Sequence, residues 1–205
     1  VRDINGVTVG AAARQYGAEV VFGGIVKDNY DEYLHKCRDL LERVDFLLLS
    51  GGSSVGTRDF SLQVLASLGE PGVLVHGVSI KPGKPTIIAK AGETPVLGLP
   101  GHPASALIIF HLFGIPILQK LEGCASPETD LRLTARISRN IASAAGRSDY
   151  VRVKLEARED GLWAVPVFGK SGLISTLVES DGMVEIEANK EGVQEGDLVR
   201  VHLFR

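Results

Sequence analysis

The sequence predicts an α/β protein: a doubly wound, mostly parallel sheet, followed by a small all-β, barrel-like domain. Three observations carry that expectation. Apolar, β-branched runs alternate with helix-period stretches through residues 1–122; short strands separated by glycine turns fill the remainder; and three glycine-rich segments each follow a predicted strand. Strands separated by helices imply right-handed crossovers and parallel neighbours. In such a sheet, ligands bind outside the carboxyl ends of the strands.

The elements follow in order. Asn5 can cap a helix over residues 6–16, with Gly17 as its stop. Residues 18–26 are β-branched and apolar, a strand. Asp28 or Asn29 then caps a helix whose apolar positions Leu34, Cys37, Leu40, Leu41 and Val44 keep the helical period. Residues 45–50 form a buried strand, 59–68 a helix and 73–80 a strand. Residues 86–89 and 96–99 form a short hairpin around Ala91-Gly92-Glu93, and 103–121 a long helix with Pro103 in its first turn and a kink at Pro116. After the polar connector "CASPETD", strands are expected at 131–137, 150–157, 162–167, 182–186 and 197–204, divided by turns such as Glu159-Asp160-Gly161 and Glu195-Gly196-Asp197. The expected domains are residues 1–123 and 124–205.

A net charge of -3 argues against a generic nucleic-acid binder. Cys37 and Cys124 share no metal-ligand spacing, the opening residues Val1-Arg2-Asp3-Ile4-Asn5 carry no signal-peptide pattern, and a reducing, cytoplasmic setting is expected. The apolar run 104–118 is interrupted by Ser105, His111, Gly114 and Pro116, which reads as a buried core helix, so no membrane partner is expected.

The three special segments are "SGGSSVGTRD" (50–59), "KPGKP" (81–85) and "LPGHPAS" (99–105). In a doubly wound sheet they can converge on one pocket. Gly51, Gly52 and Gly56 admit close backbone approach to an anion, and Ser50, Ser53 and Ser54 add hydroxyl donors. Lys81 and Lys84, stiffened by Pro82 and Pro85 around Gly83, are point charges suited to oxyanions. Pro100, Gly101, His102 and Ser105 open the last helix. Asp59, with Asp28 as a second carboxylate, suits a divalent cation lying against a phosphate. Taken singly, Asp59 and Asp28 read as helix caps and the lysines as surface. No P-loop and no nucleophile elbow is present.

"SGGSSVGTRDF", "VHGVSIKPGKP" and "GLPGHPASA", in that order, resemble the MoeA and gephyrin E-domain family of molybdopterin molybdenumtransferases, and so do "GRSDYVRVKL", "SGLISTLVESDGMVEI" and "EGDLVRVHLF" further on. The resemblance covers nearly the whole chain. It implies a MogA-like molybdopterin-binding domain followed by a C-terminal β-barrel. It implies a transferase inserting molybdenum from molybdate into adenylylated molybdopterin, releasing AMP, with Mg2+ or a similar divalent cation. By the same resemblance Asp59 is the acid near the metal and pyrophosphate, Asp28 the acid of a related turn, and Lys81, Lys84 and Ser105 lie on ligand-facing loops. Small-molecule substrates, a homodimer in the full-length protein and a MogA-like adenylylating partner belong to the same expectation. His102 stands where the family usually has Asn, and Ser53 where it has Val or Thr. Family members also carry domains before this region and a strand just ahead of "RDIN", so the chain reads as a fragment whose first strand is missing. Two other readings stay open: a non-catalytic molybdopterin-binding or sensing module, and a gephyrin-like scaffold.

Overall fold

A computed structural model describes residues 3–27, 29–51, 60–124, 132–170, 172 and 174–204. The chain divides into two units, Val1–Val78 with Gly83–Ala125, and Ser79–Pro82 with Ser126–Arg205.

In the first unit, α1 (Ile4–Gln15) is capped by Asp3, whose carboxylate accepts from Gly6 N at 2.9 Å. The expected cap, Asn5, lies inside the helix instead. An aspartate two residues upstream satisfies the same orphan N–H groups and adds a negative charge at the positive helix end. Gly17, at φ 86, ends the helix as expected: Ala18 N donates to Ala13 O and Gly17 N to Arg14 O, a Schellman closure that needs a left-handed residue.

Residues 18–27 then run without regular structure, and Phe22 and Ile25 are exposed. The strand expected at 18–26 is therefore absent. β-Branched residues suit a strand only when a neighbouring edge receives their hydrogen bonds, and none of the described strands pairs with this stretch. Asn29 caps α2 (Tyr30–Leu41), accepting from Glu32 N at 3.0 Å. The unit continues with β1 (Leu47–Ser50), α3 (Phe60–Ala66) and β2 (Pro71–His76). After β3 (Ile80–Lys81), which belongs to the second unit, come β4 (Ile87–Ala91) and β5 (Thr94–Leu99).

The sheet order is β1-β5-β4-β2. Only β1 and β5 pair in parallel; β4 with β5 and β2 with β4 are antiparallel, so the described strands form a mixed sheet. The cause is local. Gly92, at φ 59, closes a tight turn that folds β5 straight back on β4. On one face Leu47, Leu49, Ile87, Ala89 and Val96 pack with Cys37, Val64 and Leu65 from α2 and α3. Leu97 and Leu99, on the opposite pleat from Val96, are equally buried, and there α4 (Pro103–Ile109) packs on β5 and against α1.

The long apolar helix is not regular. Between α4 and α5 (Ile115–Leu121), residues Phe110–Gly114 form a π turn, and Ile115 N donates to Phe110 O. Pro116 lacks an N–H and its ring would crowd the carbonyl one turn back, so widening the preceding turn relieves both problems. By length and composition the span Pro103–Leu121 could cross a membrane, a test that core helices also pass; here Ala104, Ala106, Ile108, Ile109 and Phe110 are fully buried within the unit.

The second unit is built from β3, β6 (Arg132–Ile137), β7 (Ile141–Ala142), β8 (Ser148–Arg158), β9 (Gly161–Pro166), α6 (Ser175–Val178), β10 (Gly182–Ile186), β11 (Gly192–Val193) and β12 (Leu198–Leu203). β8 is long enough, at 11 residues, to serve two neighbours: its first half pairs with β10 and its second with β9. With β9–β6, β6–β12 and β12–β10 the pairings run in a ring, which is a closed five-stranded barrel. Closure leaves no open edge among these five strands. The interior is Ala135, Ile137, Val153, Ala164, Val184, Ile186, Val199 and Val201. β3 adds to the end of β8, Lys81 opposite Asp149, and β7 with β11 form a separate two-stranded ribbon.

Ile137→Ala, which empties a fully buried site in the barrel, should cost about 2–5 kcal/mol and lower the denaturant midpoint with an unchanged slope. Cys37 is 1% exposed, and burial pushes its thiol up to about 11. Iodoacetamide at pH 8 should therefore modify the half-buried Cys124 and spare Cys37 until the chain unfolds. Between the ordinary value of 9.0 and about 11 the folded chain keeps a proton that the unfolded chain gives up, so stability declines as pH rises through that window.

Candidate functional site

The site begins where β1 and β5 end side by side. Their parallel register sets Ser50 beside Leu99, and Gly51 N donates to Leu99 O at 3.4 Å. Both strands then turn on glycine. Gly51 sits at φ 91, a conformation that a side chain resists, and a Cβ placed on Gly101 would stand 3.8 Å from the Gly51 Cα. At Gly51 the backbone conformation favours glycine, while at Gly101 a Cβ would make only an ordinary contact with the facing backbone.

Asn5 ties the crossing together from α1. Its Nδ2 lies 2.6 Å from Ser50 Oγ, 3.0 Å from Gly101 O and 3.4 Å from Pro100 O. The residue is only 6% exposed, yet its Oδ1 meets no donor among the described residues. Below the crossing, Ser61 Oγ donates to Gly51 O at 3.4 Å. Thus Ser50, Gly51, Pro100 and Gly101, all anticipated from sequence, are brought together. Asn5 and Ser61, which hold them, were not anticipated. Asn5 looked like a helix cap, and the one available signal was Asp3, an equally good cap that leaves the asparagine without that task.

The "KPGKP" segment is split between the two units. Gly83 and Lys84 belong to the first: Val78 N donates to Lys84 O at 2.9 Å, and Thr86 Oγ1 donates to Gly83 O at 2.6 Å. Gly83 lies at φ 124, pressed on α4 so closely that a Cβ would come within 2.6 Å of Ile109 Cγ1. The Lys84 side chain is exposed. Lys81 and Pro82 belong to the second unit, where Lys81 Nζ donates to Asp149 Oδ2 at 3.3 Å. Asp149, whose side chain is 5% exposed, also accepts from Arg147 Nε at 2.8 Å. One buried carboxylate between two exposed cations leaves a local charge of one positive unit, with both cations oriented. Arg147 and Asp149 were also missed. The acid sits at the start of a strand whose alternation drew notice for packing, not charge.

His102 is the residue before α4, exposed, and its ring makes no cap bond; Ser105 is buried in the first turn of that helix. Asp28, Gly52, Ser53, Ser54, Gly56 and Asp59 lie outside the described residues. Among the described residues no three His, Cys, Asp or Glu side chains gather to hold a metal.

Residues 1–120 match the family described as "Probable molybdopterin binding domain", and residues 134–204 match the "MoeA C-terminal region (domain IV)". A molybdopterin molybdenumtransferase of Haemophilus influenzae is 31% identical over 206 residues, an alignment taking in 100% of this chain and 50% of that protein. One from Bacillus subtilis is 29% identical, over 100% of this chain and 47% of its own length. The crystal structure of the molybdopterin biosynthesis MoeA protein from Pyrococcus horikosii superposes with a TM-score of 0.86 at 35% identity, covering 100% of this chain and 49% of that one. The chain thus spans about half the length of the curated relatives it matches. Two family matches in the order of the two units, and a solved relative that overlays them, lead to one conclusion: the chain belongs to the molybdopterin-binding-domain family and corresponds to the C-terminal portion of MoeA proteins.

Proposed function

We propose that this chain acts in molybdenum cofactor biosynthesis, as a transferase that inserts molybdenum from molybdate into adenylylated molybdopterin with release of AMP. One observation supports it above the rest: the paired glycine turns after β1 and β5, joined by Asn5, leave the Ser50 hydroxyl exposed where the two backbones meet. That is the architecture a flat, phosphate-bearing ligand requires at the end of a parallel strand pair. The relatives named as molybdopterin molybdenumtransferases supply the chemistry.

In this reading Ser50, Gly51, Gly52, Ser53, Ser54, Gly56, Pro100, Gly101, His102 and Ser105 line or support the pterin and phosphate site of the first unit, and Lys84, beside Gly83 on the same unit, attracts phosphate oxygens. Lys81, followed by Pro82 on the second unit, is by itself a candidate for attracting molybdate. Asp149 keeps the Lys81 ammonium oriented beside Arg147, so that the charge is fixed before the substrate arrives. Asp59 and Asp28 would hold Mg2+ or a similar divalent cation, which when bound offsets the negative charge of the pyrophosphate as AMP departs. We further propose a cytoplasmic protein that works as a homodimer at full length and receives its substrate from a MogA-like adenylylating enzyme.

AMP release from adenylylated molybdopterin on addition of molybdate separates this activity from a molybdopterin-binding module or a scaffold, both of which would leave the substrate intact. Asp59→Asn should lower that release by about 100-fold or more while pterin binding persists; unchanged turnover would sink the assigned role. Lys81→Ala should raise the molybdate concentration for half-maximal rate about tenfold, with a smaller effect at high salt, as expected for loss of one charge-assisted contact.

A further inference from the structure

Three side-chain groups stand outside the machinery assigned above: the buried guanidinium of Arg152 in the second unit, the exposed apolar residues along 21–25, and the carboxamide of Asn5. The third carries the argument furthest, because its hydrogen-bond chemistry admits one solution.

The Asn5 amide lies near three oxygens through the same atom, Nδ2. Two of them, Pro100 O and Gly101 O, are carbonyls and can only accept. The nitrogen end of the amide therefore points at them, and no flip of the side chain satisfies these contacts. The third oxygen is the Ser50 hydroxyl, 2.6 Å away. A hydroxyl facing an N–H2 group accepts, so its own proton must point away from Asn5. Ser50 is exposed, and no other described group receives that proton in a hydrogen bond. Asn5 Oδ1 is buried and has no donor among the described residues, so every contact that these residues give the amide runs through its donor end. A buried amide engaged in this way points to a task at that end.

We propose that Asn5 is a positioning residue that turns the Ser50 proton away from α1 and so biases the strand-end site toward acceptor groups, the oxyanion and carbonyl oxygens of the pterin substrate. The proposal rests on the molybdopterin reading for the identity of that ligand, but the polarity of the hydroxyl does not. Without Asn5 the hydroxyl could also turn its proton inward and offer both acceptor positions to ligand donors. With Asn5 in place one of the hydroxyl's two acceptor positions is taken, so a ligand N–H or O–H competes for the one that remains, while an anionic oxygen meets a proton already turned away from the amide.

The test is a double-mutant cycle on Asn5→Ala and Ser50→Ala in the full chain, read in two ways. The first readout is the urea midpoint of the unliganded protein. Ser50→Ala should lower it in the wild-type background and leave it unchanged in the Asn5→Ala background; equal shifts in both would show that the two side chains are not coupled and would overturn the proposal. The second is affinity for adenylylated molybdopterin by fluorescence titration. Ser50→Ala should weaken binding about tenfold in the wild type and less than twofold once Asn5 is gone. A merely structural Asn5 would leave the Ser50→Ala ratio the same in both backgrounds, and that result too would overturn the proposal. Asn5→Ser replaces Asn5→Ala if the latter fails to fold. Should the wild-type chain bind no pterin while the midpoints remain coupled, the molybdopterin reading and the ligand half of this proposal both fall, and the hydrogen bond alone stands.

Discussion

The parallel pairing of β1 with β5 is the constraint on which the site depends. Adjacent strands lie about 4.8 Å apart, and when they run the same way both of their carboxyl ends arrive at one edge of the sheet. Ser50 and Leu99 face each other at that edge, so whatever follows either residue must share the space. The chain meets this crowding with Gly51 on one side and Pro100-Gly101 on the other, then bridges both with a carboxamide from α1. An antiparallel pair could not do this, since one loop would leave from the opposite edge. The rest of the sheet is free to be antiparallel, and it is.

How far this could be read from sequence depends on what kind of signal each part leaves. Glycines and prolines after an apolar run mark a strand end whatever the fold, so the chain was expected to leave its strands at Gly51 and at Pro100-Gly101, and it does. Strand neighbours are a different matter. Nothing local tells residues 18–26, with Val20, Val21, Ile25 and Val26, that no described strand offers them an edge. Asn5 was misplaced for a subtler reason. Asp and Asn have nearly equal cap preference, both occur within three residues, and only the three-dimensional target at Ser50 decides which one is released for another task.

The "KPGKP" segment shows a second limit. Five residues with two lysines three apart read as one loop, and a single loop was expected to bring both charges to one place. The backbone instead passes from one unit to the other within those five residues, between Pro82 and Gly83. Lys81 pairs as part of β3 in the barrel unit, and Gly83 is clamped on α4 in the other. Alternation within 150–157 did reveal a half-buried strand, and the turns on either side revealed its neighbours. What alternation could not show was that β8 pairs with β10 through its first half and with β9 through its second, which closes the ring, or that its added first residues receive β3.

The ion pairs of the barrel unit are better understood as orientation than as adhesion. An exposed lysine contributes little by pairing, because water screens the attraction and the long side chain loses freedom. Asp149 is in a different position. Its carboxylate is almost entirely withdrawn from solvent, and a charge so placed is costly unless donors surround it. The asymmetry fixes the geometry: the acid cannot leave, so the cations that satisfy it are drawn to one spot. Arg147 takes one oxygen and Lys81 the other, and both cationic side chains stay exposed. In the first unit the logic recurs with neutral groups, where two carbonyls that cannot donate compel an amide to turn its nitrogen toward them and thereby set the polarity of a neighbouring hydroxyl. In both places a buried group of fixed character dictates what its exposed neighbour presents to solvent.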